Sequence, residues 1–182
     1  TFSNLMNHYE FGGANIKGVY FDEENRRHIL SLRSIFGEAA GTLADAGKLD
    51  QAKQLIDKVE AGINTENLPY AMASRYNGHN QTALIYLEGC FKAGKKELAE
   101  KVAAEIRKDL EQQARYYSYI RDNKPDFWGY YERSEAPINE RLLLVLSDIE
   151  ARYKSAAPGK TVNELNTPSI QTPGKTDTNK QN

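Results

Sequence analysis

Aromatic and acidic side chains crowd one stretch of this chain. Tyr116, Tyr117, Tyr119, Phe127, Trp128, Tyr130 and Tyr131 fall within sixteen residues, flanked by Asp122, Asp126, Glu132 and Glu135. Aromatic faces beside carboxylates suit sugar rings or peptides, and two carboxylates at a set separation would suit glycoside hydrolysis. Tyr116, Tyr119, Phe127, Trp128, Tyr130 and Tyr131 are therefore the binding candidates. A second reading has the rings pin a helix connection onto the core while the acids stay solvated.

The other reactive residue types lack a spacing that makes chemistry. His8, His28 and His79 lie far apart, with neither the i, i+4 nor the Cys/His intervals of a metal site. Cys90 is the only cysteine, which excludes an internal disulfide and a multi-cysteine zinc site, and it falls on an apolar stripe where a thiol acts as a small hydrophobe. Gly12, Gly13 and Gly18 precede no Lys-Ser or Lys-Thr pair, so they shape a turn and not a phosphate loop. Asn80-Gln81-Thr82 fits the N-glycosylation pattern, a match too common to carry weight. The expectation is a chain with no catalytic residue, metal or cofactor.

The elements that position these residues are helices. Ala46-Gly47-Lys48 and Ala93-Gly94-Lys95 are the same phrase, each with an alanine five residues beyond the glycine, Ala52 and Ala99. In a helix hairpin the glycine takes the left-handed turn and the alanine admits close approach of the returning helix. Asp22 suits an N-cap, followed by Glu23 and Glu24 in the first turn. Ile29, Leu32, Phe36, Ala39, Ala40 and Leu43 then recur at helical intervals up to Gly47.

Ala52, Leu55, Ile56, Val59 and Ile63 mark the second helix. After a polar connection through Asn64, Pro69 and His79, Leu84, Leu87, Cys90 and Phe91 mark the third. The fourth runs from Leu98 through Leu110 to Tyr117 and stops at Lys124-Pro125. Residues 126–135 read as loop, and Pro137 suits the first turn of a fifth helix carrying Leu142, Leu143, Leu146, Ile149 and Tyr153. The expected fold is all-α: tetratricopeptide-like αα-hairpins of about five helices over 22–154. An irregular segment precedes them over 1–21, and a disordered or peripheral low-complexity tail follows over 155–182. The offset of 47 residues between Gly47 and Gly94 exceeds the roughly 34 of a tetratricopeptide repeat, and the excess falls in the polar connection.

Composition narrows the function classes. A 40% hydrophobic, 27% charged chain of 182 residues fits one soluble domain plus a tail. Twenty-four Lys and Arg against 25 Asp and Glu leave a net charge of -1, so no overall field favours nucleic acid. No stretch approaches the roughly 20 apolar residues of a membrane span, and none resembles a signal peptide. The start at Thr1 and not Met suggests a piece excised from a longer protein, whose remainder could hold membrane segments.

A more specific likeness rests on Gly12-Gly13, the phrase from Val19 through Asp22-Glu23-Glu24-Asn25 to Arg26-Arg27, then Arg33, Phe36 and Leu68-Pro69-Tyr70. Arg75-Tyr76-Asn77, Phe91-Lys92-Ala93-Gly94-Lys95 and the run Lys108 to Gln113 leading into Tyr116-Tyr117 extend it to about Tyr119. These residues resemble the soluble C-terminal region of bacterial multi-pass membrane proteins of unknown function related to protein O-mannosyltransferases. The resemblance implies a helical, tetratricopeptide-like appendage of a membrane glycosyltransferase, and the two hairpins, the near-neutral charge and the missing catalytic constellation point to a non-catalytic protein-interaction or scaffold domain. The resemblance also places the domain on the periplasmic face, with the membrane reached only through the missing N-terminal part. A protein or peptide partner is expected. The alternatives are a carbohydrate-binding module using the cluster from Tyr116 to Tyr131, and a free-standing cytoplasmic adaptor. A hydrolase built on the acids from Asp122 to Glu135 is the third rival.

Overall fold

The computed structural model describes residues 2–154, so the tail expected over 155–182 lies outside the described residues. Six α-helices follow in order: α1 (Phe2–His8), α2 (Glu23–Asp45), α3 (Leu49–Gly62), α4 (Gly78–Lys92), α5 (Lys96–Asn123) and α6 (Tyr130–Lys154). Single 3-10 turns at Arg75–Asn77 and Pro125–Phe127 precede α4 and α6. The all-α fold expected from the sequence is the fold observed.

The hairpin turns form as their residues dictate. Asp22 caps α2, its carboxylate accepting from the Asn25 amide at 2.8 Å. At the other end Gly47 has φ +74°, and the Lys48 and Gly47 amides donate to the Leu43 and Ala44 carbonyls at 2.8 and 2.9 Å. Gly94 repeats this arrangement at φ +74°, with Lys95 to Cys90 at 2.9 Å and Gly94 to Phe91 at 3.0 Å. Both are Schellman closures, in which a left-handed residue lets two amides satisfy the orphan carbonyls of the last turn.

Three helices then run side by side in the same direction. Lys92 pairs with Asp45 at 2.8 Å where α4 and α2 end, and Arg152 pairs with Glu88 at 3.3 Å where α6 and α4 end. The Phe91 and Tyr153 rings stack at 5.0 Å beside the second pair. α3 and α5 return antiparallel behind this layer. α2 and α4 touch backbone to backbone: a Cβ built on Gly37 would lie 2.7 Å from the Tyr86 Cα, and one on Gly89 would fall inside the Gly37 peptide. Phe36, Ala40, Leu55, Ile56, Val59, Leu87, Val102, Ile106, Leu110 and Leu146 form the core between the two layers.

Two sequence expectations require correction. The segment over 1–21 is not wholly irregular, because Phe2–His8 is helical and docks on α3. Lys58 donates to the Leu5 carbonyl at 2.9 Å, putting a cation at the C-terminal end of α1 where the helix dipole favours one. Phe11 is buried 5.5 Å from the Phe36 ring, and a Cβ on Gly62 would overlap its ring. The last helix starts seven residues before Pro137, at Tyr130. Glu132 reaches back to accept from the Gly129 amide at 3.1 Å, which supplies the N-terminal closure that Pro137 suggested for itself. Pro137 is therefore interior and leaves the Arg133 carbonyl without its helical N–H donor.

The long connection between the hairpins is anchored from inside. Arg33, 2% exposed, donates to the Leu68 and Pro69 carbonyls at 2.8 and 2.9 Å and lies 4.9 Å from the Tyr70 ring centre. Tyr70 and Tyr86 both donate to Glu60, at 2.5 and 2.7 Å. Burial lowers the Arg33 pKa and raises those of both phenols. This polar knot fastens α2, α3, α4 and the connection together.

Candidate binding surfaces

The aromatic stretch does not converge on one point. Tyr116, Tyr119, Phe127, Tyr130 and Tyr131 are exposed, Phe127 at 70% and Tyr130 at 85%, so these rings do not pin the connection onto the core. Tyr116, Tyr119, Phe127, Tyr130 and Tyr131 also stand outside the cavity that α5 and α6 enclose. Tyr117 and Trp128 are the two members of the stretch that line it.

That cavity, about 290 Å³, is closed below by Tyr117, Ala114, Ala136 and Asn139 and rimmed by Ser118, Arg121, Arg133 and Glu140. Tyr117 is 7% exposed, and burial, reinforced by the neighbouring Tyr131 and Glu135, pushes its phenol up to about 12. It is therefore a neutral hydroxyl over the physiological range. Arg121 is held by Asp122 at 3.0 Å, and Pro137 lines the wall beside Arg133.

A buried amide network fixes the floor. Asn77, Asn80 and Asn139 are fully buried and Glu135 is 1% exposed. The Asn139 amide donates to the Leu110 carbonyl at 3.0 Å and accepts from Asn77 at 3.3 Å. Asn80 donates to Asn77 and to Asp109, both at 2.7 Å, and Gln113 donates to Asp109 at 2.6 Å. Glu135 accepts from the Tyr76 amide at 2.6 Å. Together these bonds hold Tyr76 and Asn77 at φ 54° and 51°, left-handed values that side-chain-bearing residues adopt at a cost. A glycan on Asn80 is incompatible with this packing.

A second concavity lies between α4 and α6. It encloses about 470 Å³ and is lined by Leu84, Ile85, Ile138, Leu142, Val145 and Ile149, with Gln81, Glu88 and Arg141 at its edges. Ile85 is 44% and Val145 38% exposed. Neither was singled out in the sequence, although the unbroken run Leu142-Leu143-Leu144-Val145-Leu146 wraps more of its helix in aliphatics than one buried stripe needs. Of the rim residues around Trp128, Ser118, Arg121, Arg133 and Glu140 carried no sequence signal, being single polar residues on helix faces.

The remaining reactive groups stay apart. His8 is exposed, His28 pairs with Glu24 at 3.0 Å, and His79 sits half-buried at the start of α4. Burial pushes the Cys90 thiol up to about 12, so it holds its proton at neutral pH. Among the described residues, no three His, Cys, Asp or Glu side chains are grouped to hold a metal ion, and no helix is long and apolar enough to cross a membrane. No family model, curated protein or solved structure matches this chain.

Proposed function

We propose that the helical domain is a non-catalytic protein-interaction module, carried, as its sequence resemblance implies, on the periplasmic side of a membrane glycosyltransferase. The supporting observation is the α4–α6 groove, an apolar channel open to solvent with opposite charges at its edges. Ile138 and Ile149 are eleven residues apart, so the channel extends about 16 Å along α6. That length accommodates roughly three turns of an amphipathic helix, whose apolar face would cover Ile85 and Val145. Glu88 is already held by Arg152, so Arg141 would fix its direction by pairing with an acidic residue of the partner. Held this way, an acceptor polypeptide stays at high local concentration beside the membrane enzyme.

Ile85→Asp with Val145→Asp tests this reading, since both side chains are part-exposed and their replacement spares the core. Helical peptides selected against the native domain should lose at least about tenfold in affinity, while the circular-dichroism melt of the double variant stays close to native. In the full-length parent, the same pair should lower acceptor modification and leave donor hydrolysis intact. Unchanged peptide affinity and unchanged acceptor modification would contradict the proposal.

A further inference from the structure

We infer that the cavity at Trp128 is a binding site for a single ring of a neutral carbohydrate. Its volume, about 290 Å³, is just under the roughly 300–1,000 Å³ of drug-sized small-molecule sites and suits one ring better than a polymer. Two aromatic side chains from different elements line it, Tyr117 from α5 and Trp128 from the turn before α6. The electron-rich face of such rings attracts the weakly positive C–H face of a pyranose.

The polar groups around these rings match hydroxyls. Donors come from Arg133, Ser118 and the Tyr117 phenol, which burial keeps protonated. Acceptors come from the Glu140 carboxylate and the Ser118 hydroxyl. A sugar hydroxyl both donates and accepts, so a rim that alternates the two satisfies it in either sense. Charge argues for a neutral ligand: Asp122 engages Arg121, the Glu140 carboxylate acts on that same guanidinium, and Arg133 and Glu140 put one charge of each sign on the rim. Asn139 is not a ligand contact, because its amide is spent on Leu110 and Asn77. What it supplies is a rigid floor, tied through Asn77 to α4, so the site is largely formed before anything enters.

Trp128 is the only tryptophan, which makes its emission a direct report on this cavity. The full chain is titrated with methyl glycosides of the neutral hexoses, with glucuronate and hexaproline as comparators, following Trp128 fluorescence and amide chemical shifts in α5 and α6. The expected result is saturable binding of at least one neutral glycoside in the millimolar range. Arg133→Ala and Glu140→Ala, both at exposed positions, should each weaken it about tenfold or more, and the groove variant Ile85→Asp should leave it unchanged. Three results would overturn the inference: no saturable response to any neutral glycoside, stronger binding of glucuronate or hexaproline, or rim variants that bind like the native chain. Because the groove variant is scored separately, failure here is distinct from failure of the interaction-module reading.

Discussion

His79 illustrates how one side chain couples this fold to pH. Burial, and secondarily the nearby Arg26 charge, lowers its pKa below the ordinary imidazole value, and its Nδ1 has no hydrogen-bond partner. As pH falls through about 6.5 the unfolded chain binds the proton first, so stability is full above that point and declines below it. Thermal melts at about pH 7.5 and about pH 5.5 should therefore differ, and His79→Gln should narrow the difference; an unaltered pH slope would show that other groups carry it. Residue chemistry of this kind was only partly legible in the sequence. Cys90 on its stripe reads directly as core, and so it is. Asn77, Asn80 and Asn139 read as loop or surface, because nothing in the spacing of three asparagines shows that each will find its partners inside. The aromatic stretch misleads for the same reason: proximity along the chain put seven rings together, while the phase of α5 and the turn before α6 gave the cavity only Tyr117 and Trp128.

At the scale of elements, glycine plays two roles that substitution can separate. Gly94 occupies a left-handed turn with open space around its Cβ position, so Gly94→Ala should cost about 1–2 kcal/mol, the price of the backbone conformation alone. Gly89→Ala has ordinary helical geometry to satisfy but forces a methyl into the Gly37 peptide, and about 3 kcal/mol or more is expected. Urea denaturation of the two variants should rank them in that order; equal losses would mean that α2 and α4 can separate freely. The turn role was legible because Ala-Gly-Lys is repeated and a Gly after a helical stripe has a local cause. The crossing role was hidden, since it depends on which helices meet. Pro137 misled similarly: a proline near a helix start reads as the start, and the reach of Glu132 to the Gly129 amide moved the boundary upstream.

For the molecule as a whole, the N-terminal segment is part of the folded body. Phe11 fills the space that Gly62 leaves, against Phe36, and the Asn64 amide donates to the Ala14 carbonyl at 2.9 Å. Phe11→Ala should lower unfolding free energy by about 3–5 kcal/mol in a single cooperative transition. A loss near zero, or a separate early transition confined to α1, would show that segment to be an appendage. The hairpin order was readable from two repeated phrases, while this docking was not, because Gly12, Gly13 and Gly18 interrupt every periodicity that could announce it.

The crossing of α2 and α4 carries a further implication for ancestry. Where two main chains meet with no room for a methyl group, drift is barred at both partners together, while turn phrases can decay and be rebuilt from other small residues. Positions 37 and 89, fifty-two apart, are thus the pair by which a diverged cousin of this chain would be told from an unrelated stack of amphipathic rods.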